Sequence, residues 1–263
     1  MKTTIFQVDA FTHDPFRGNP AAVCILDSPR PDAWMLAVAR EMNLSETAFL
    51  LPEEGAYRLR WFTPAVEEKL CGHATLASAH VLWESGKLKP GETALFNTLS
   101  GVLTASKFGS LIELNFPSTP PEPVETPPFL LDALGVSPLY VGKSPFDYLV
   151  EVADDEIVRN LHPNMTLLRE IDIRGIIITS VSTNPKYDFI SRFFAPHDGI
   201  DEDPVTGSAH CCLGPYWNEK LGKTSFKAYQ ASPRGGIVAV RLEGNRIILG
   251  GEAVTVMGGE LYY

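Results

Sequence analysis

Apolar and polar residues alternate along much of this chain, the period of a half-buried β-strand. In the N-terminal half the alternation predicts strands at residues 2–8, 21–26, 57–62, 93–97, 102–107 and 111–116. In the C-terminal half it predicts strands at 139–141, 148–152, 175–179, 187–195, 236–242, 246–249 and 253–257. Two segments break the pattern. Residues 74–84 carry Ala74, Leu76, Ala77, Ala79, Val81, Leu82 and Trp83. A helix apolar nearly all round must be enclosed on most sides. Residues 208–221 carry Ala209, Cys211, Cys212, Leu213, Tyr216, Trp217 and Leu221, with Pro215 expected to kink the helix or end its regular part. Residues 31–42 read as an ordinary amphipathic surface helix.

The pattern is also duplicated. Arg60-Trp61-Phe62-Thr63-Pro64 precedes Cys71-Gly72-His73-Ala74-Thr75-Leu76-Ala77 by six residues, and Arg192-Phe193-Phe194-Ala195-Pro196 precedes Asp203-Pro204-Val205-Thr206-Gly207-Ser208-Ala209 by the same gap. Each copy runs on into one of the apolar helices. Gly101 to Gly109 matches Gly236 to Gly244, each second glycine expected to supply a hairpin turn. Between the copies lies Pro117 to Pro128, with six prolines in twelve residues, which excludes a helix interior or a central strand. The expected fold is α+β: two pseudo-symmetric lobes, each a curved, mostly antiparallel sheet wrapped around a central helix. The first lobe spans 1–116 with its helix at about 74–85. The second spans 117–263 with its helix at about 208–221, its last strand free to cross back to the first lobe. A crevice between facing lobes is a usual place for a small-molecule site.

Composition narrows the partners. At 263 residues, 44% hydrophobic and 21% charged, the chain reads as globular. Its 22 basic and 32 acidic residues leave a formal net charge of −10, which argues against nucleic acid or an anionic membrane surface. The N-terminal residues lack the apolar stretch of a signal peptide, and no run approaches the ~18 residues of a membrane span, so the cytoplasm is expected. Cys24, Cys71, Cys211 and Cys212 are poorly arranged for bridging and are read as free thiols.

Few residues are placed to do chemistry. Glu46, in Asn43-Leu44-Ser45-Glu46-Thr47-Ala48-Phe49, enters a strand among apolar neighbours. A partly desolvated carboxylate there would serve as a general base, the alternative being a surface glutamate at a helix exit. His73 stands beside the first apolar helix and reads as a proton shuttle, a hydrogen-bond donor or a capped turn histidine. Asp203, in an acidic turn, is singled out by its equivalence to Cys71. Cys71 itself reads as packing or as a site neighbour. Both apolar helices start just after the divergent motif, and their N-termini with Ser208 suit a carboxylate; ordinary capping by Thr206 and Ser208 is the plainer reading. No pair of histidines has ligand spacing, so no metal is expected. No dinucleotide or phosphate-binding glycine fingerprint is present, and no organic cofactor is expected.

The set Asp9-Ala10-Phe11-Thr12, Phe16-Arg17-Gly18-Asn19-Pro20-Ala21-Ala22-Val23, Asn43 to Phe49, Arg60 to Pro64, Cys71 to Thr75 and Glu202 to His210 resembles the PhzF-like proteins of phenazine biosynthesis, within the diaminopimelate-epimerase-like fold. The pieces run in family order over nearly the whole chain. The resemblance implies a cofactor-free isomerase, commonly a homodimer, acting on a small carboxylic acid. It implies Glu46 as the catalytic acid/base with His73 and Asp203 as further active-site residues. Ser208, Asn19 and the backbone at Gly72 and Gly207 match its binding positions. The type reaction is isomerisation of trans-2,3-dihydro-3-hydroxyanthranilate. Related epimerases and racemases use one cysteine from each lobe; Asp203 stands where the second would be, so two-thiol racemisation does not carry over. Amino-acid epimerisation by another route and a non-catalytic ligand-binding or interaction module are the alternatives.

Overall fold

The computed structural model describes residues 2–263; residue 1 of the expected first lobe lies outside them. The chain divides into two compact units: a first that runs to Asn115 and is taken up again at Gly250–Tyr263, and a second over Phe116–Leu249. In order along the chain the first unit holds β1 (Lys2–Ala10), β2 (Asn19–Ile25), α1 (Asp32–Met42), β3 (Glu46–Glu53), β4 (Ala56–Phe62), β5 (Glu67–Glu68), α2 (Gly72–Glu84), β6 (Ala94–Thr98), β7 (Gly101–Phe108) and β8 (Leu111–Pro117). The second holds β9 (Glu122–Pro123), α3 (Leu130–Leu134), β10 (Tyr140–Lys143), β11 (Asp147–Glu151), α4 (Asp155–Arg159), α5 (Met165–Arg169), β12 (Gly175–Val181) and β13 (Phe189–Phe194). It continues with α6 (Gly207–Leu221), β14 (Ser225–Gln230), β15 (Gly236–Glu243) and β16 (Arg246–Gly251); β17 (Ala253–Tyr262) belongs to the first unit again.

Each unit repeats one pairing scheme. In the first, neighbours run β17-β1-β2-β3-β4-β6-β7, with β2–β3 and β4–β6 parallel and the other pairs antiparallel. In the second they run β9-β10-β11-β12-β13-β14-β15, with β11–β12 and β13–β14 parallel and the others antiparallel. A parallel pair needs a crossover connection, usually helical, and each parallel pair here has one. Helix α1 spans β2 to β3 and α2 spans β4 to β6. Helices α4 and α5 span β11 to β12, and α6 spans β13 to β14. The units differ at the outer strand, which in the first comes from residues 253–262, far along the chain from β1. The β7–β8 and β15–β16 turns are made by Gly109 and Gly244, both at positive φ.

Helix α2 packs on β1, β2, β3 and β17, with Leu76, Val81 and Leu82 fully buried. Its buried hydroxyls bond back to the helix, Thr75 Oγ1 to Cys71 O at 2.5 Å and Ser78 Oγ to Ala74 O at 2.7 Å, so neither hydroxyl is stranded by the burial. Helix α6 is continuous through Pro215, where the sequence predicts a kink or an end. Proline cannot donate to the carbonyl four residues back, and that carbonyl, Cys211 O, accepts from Thr119 N at 3.0 Å instead. The proline-rich segment is thus stitched to the carbonyl that Pro215 leaves without its helical donor. On the opposite sheet face, α1 covers Ile5, Ala22, Cys24, Phe49 and Phe62, whereas three five-residue helices, α3 to α5, cover Val150, Ile176, Ile178, Ile190 and Phe194. No helix among the described residues is long and apolar enough to cross a membrane.

Candidate active site

Side chains alternate between the faces of a strand. Phe49 of β3 joins the cluster under α1, so Glu46 and Ala48 face the other side, where α2 packs. His73 is the second residue of α2, and its Nε2 lies 3.2 Å from Glu46 Oε2, with side-chain exposures of 6% and 12%. Glu46 is therefore largely enclosed, not the surface glutamate of the plainer reading. Both atoms are buried and neither makes an aligned hydrogen bond; they meet at ion-pair distance, off axis. On the other edge of the ring, Asn19 Nδ2 stands 3.2 Å and Cys71 Sγ 3.5 Å from His73 Nδ1. With a proton on Nε2 the ring turns an N–H toward Glu46.

Asn19 is held there by the loop before β2. The backbone N–H of Phe16 donates to Asp9 Oδ2 at 2.7 Å, with Asp9 buried. Gly18 has φ +62°, and a Cβ on it would stand 2.1 Å from Ala10 O, so only glycine lets the loop return so close to β1. The loop thus ends with Asn19 on the strand beside β3. Asp9 and Gly18 escape a search for reactive residues because they act through Asn19.

Charge at this cluster is set by its enclosure. Burial pushes the Cys71 thiol up to about 11, with Glu46 adding to it, so at neutral pH the sulfur carries its proton. Burial works against a charge on His73, but the negative charges that Cys71 and Glu46 can carry outweigh it and hold the imidazole well above its ordinary range. Cys24, Cys211 and Cys212 are also buried free thiols.

In the corresponding stretch of the second unit the side chains of Thr206 and Gln230 fix the turn. Asp203 Oδ2 accepts from the Thr206 hydroxyl. Gln230, fully buried at the end of β14, accepts from Thr206 N at 2.8 Å and donates to Asp203 O at 2.8 Å and to Thr206 Oγ1 at 3.2 Å. The turn is thereby fixed, and Thr206 spends its hydroxyl on Asp203 without capping α6. Gly207 and Ser208 form the first turn of that helix, whose leading N–H groups have no intrahelical acceptor. Gln230 carries no motif; its only signal is an amide side chain closing a short alternating run. Both strand-to-helix segments are clamped by the repeat's arginine. Arg60 holds Glu67 through two 2.6 Å bonds and Arg192 holds Glu202 through two 2.7 Å bonds, the bidentate geometry that fixes orientation.

The structure therefore brings Glu46, His73, Asn19 and Cys71 together in the first unit, with Gly72 opening α2. In the second it brings Asp203 to Thr206, with Gly207 and Ser208 on the helix that follows. A desolvated carboxylate against an imidazole can take and return a proton while the imidazole meets developing negative charge. Donor atoms of Glu46, Cys71 and His73 all lie within 4.8 Å of one another, a group of metal-ligand types that spacing along the chain does not reveal.

Comparison with known proteins follows the same lines. The family model described as phenazine biosynthesis-like protein matches residues 8–259. An uncharacterized isomerase of Halalkalibacterium halodurans is 58% identical over 262 residues, 99% of both chains. The crystal structure of a PhzF-family phenazine biosynthesis protein of Enterococcus faecalis superposes with a TM-score of 0.96 at 41% identity, covering all of both chains. A hydroxyproline epimerase of Agrobacterium vitis shares the fold alone, with a TM-score of 0.64 at 13% identity over 99% of this chain and 92% of that one.

Proposed function

The chain belongs to the phenazine biosynthesis-like (PhzF) family, and from that premise we propose that it is a cofactor-independent isomerase that moves a proton between carbons of a small carboxylic acid. The observation that carries this is the buried Glu46–His73 pair, 3.2 Å apart with neither atom otherwise satisfied. Glu46 takes the proton from an activated carbon and returns it elsewhere on the conjugated system. His73, seated by Asn19, steadies the charge that develops. The reading gives Asp203 the substrate's polar substituents, and gives Ser208 with the backbone at Gly72 and Gly207 its carboxylate. A dihydro-hydroxyanthranilate is the model substrate class. Homodimer assembly and a cytoplasmic location complete the proposal; no membrane or nucleic-acid partner is part of it.

The test is proton exchange. The protein is incubated in D₂O with a panel of cyclic and amino carboxylic acids, and carbon-bound deuterium is read by mass spectrometry. Incorporation is expected for at least one conjugated acid, falling about 10²- to 10⁴-fold in Glu46→Gln, the usual span of a general acid/base. Exchange untouched by that substitution removes Glu46 from its role. Exchange confined to the α-carbon of an amino acid favours epimerisation. No exchange with any of the panel favours the ligand-binding module.

A further inference from the structure

Glu46, Cys71 and His73 supply a carboxylate, a thiol and an imidazole, the three ligand types that zinc-class cations share. They sit on ordered elements, the first residue of β3 and the first turn of α2 with its N-cap. His73 Nε2 and Glu46 Oε2 are buried and make no aligned hydrogen bond, so a ligand between them would displace no existing bond. Their 3.2 Å separation is close to that of two ligands on one tetrahedral ion. Cys71 Sγ is 3.5 Å from the other ring nitrogen, and the three donors fall within 4.8 Å. Rotation of the Cys71 side chain therefore has to carry its sulfur from the Nδ1 edge of the ring toward Nε2 for all three to reach bond lengths of about 2.0–2.3 Å.

We propose that Glu46, Cys71 and His73 form a binding site for a thiophilic divalent cation of the zinc class, and that loading it withdraws Glu46 from proton transfer. His73 binds through Nε2. Its Nδ1–H then faces Asn19, whose amide turned by 180° offers the carbonyl oxygen, the outer-shell acceptor that a metal-bound histidine uses. The Cys71 S–H bond breaks as the sulfur–metal bond forms, and the proton leaves to solvent, with a second from any protonated His73. Three protein ligands leave the fourth position to water. The binding claim is independent of the proposed reaction; the inhibitory consequence rests on it.

Full-length protein stripped with a chelator is titrated with ZnCl₂ by calorimetry, and with CoCl₂ while the near-ultraviolet thiolate-to-cobalt absorption is followed. One ion per chain is expected, with the absorption band present and proton release visible as a buffer-dependent heat. Cys71→Ser and Cys71→Ala should each weaken binding at least tenfold and abolish the band, with circular dichroism establishing that both variants fold. No binding, or binding unchanged in both variants, overturns the site. In the D₂O assay, zinc should suppress exchange and chelator restore it. Exchange that persists with the site loaded overturns the inhibitory role while binding stands, and absence of exchange in the chelator-stripped protein, with zinc binding intact, counts against the isomerase reading alone.

Discussion

The two helix tips are copies of one design put to different electrostatic use. In the first unit a carboxylate and an imidazole face each other at 3.2 Å beside a thiol. In the second a carboxylate is held by a threonine hydroxyl, and a glutamine amide ties that hydroxyl to the aspartate's backbone carbonyl. Their histidines show the contrast. His73 is held well above its ordinary range because negative partners outweigh its burial. His210, on the first turns of α6, is driven down to about 4 by burial, opposed only by the Thr206 carbonyl 2.9 Å from its Nδ1. Depth alone does not decide protonation; the charge of the nearest partner does. The clamps contrast too. Arg192 is nearly enclosed and also donates to the Val158 and Leu161 carbonyls, whereas Arg60 is a quarter exposed and reaches out to Asp32.

The sharpest break in that comparison comes from the clamps. Arg192→Met leaves Glu202 and two carbonyls without a donor in a buried setting and should cost about 3–5 kcal/mol, against about 1 kcal/mol for Arg60→Met, whose partners have more access to water. Urea unfolding of the two variants measures the gap, and equal losses would erase the distinction. The histidines come next. Below about pH 6.5 the protonation of His73 stabilises the fold fully, and that contribution is lost as pH rises through its raised value. His210 behaves in the opposite sense: the fold is not penalised above about pH 6.5 and loses roughly 3 kcal/mol as pH falls to about 4. Unfolding midpoints of His73→Gln and His210→Gln across that range should remove one slope each, and a His210 resonance titrating near 6.5 would contradict the assignment. The smallest effect is kinetic. Cys71, with its thiol pushed up to about 11, should resist iodoacetamide at pH 7, its rate rising about tenfold per pH unit until it ionises; mass spectrometry of timed quenches reads it, and rapid stoichiometric labelling at neutral pH would be inconsistent.

Much of this was legible in the order of residues. Alternation marked most of the long strands, and the two apolar segments mark the enclosed helices because a fully buried helix has no polar stripe to hide. Strand β14 is harder to see: Ser225 to Gln230 has a clean buried-exposed alternation, but only Phe226 and Tyr229 are large. The five-residue helices α3 to α5 are shorter than two turns, too short for a 3.6-residue period to declare itself. At the site, Glu46 and His73 were marked by motif, while Gln230 was not, since its role lies in three bonds to a turn some 25 residues earlier. Helix α6 passing through Pro215 was also invisible, because the rescue comes from Thr119, about a hundred residues away. Local pattern records burial well. It records poorly which distant group supplies a missing partner.

The outer strand of the first unit has a consequence for biosynthesis. A ribosome makes β1 at the outset and β17 some 240 residues later, so the unpaired edge of β1, from Lys2 to Ala10, waits without its neighbour through most of translation. Loop-closure entropy delays that pairing, and an uncovered strand edge in a nascent chain is a surface to which other chains add. The second unit, whose strands are contiguous in the message, carries no such delay. Nascent chains stalled before residue 253 should therefore engage chaperones through their first ten residues and not through the half most recently made.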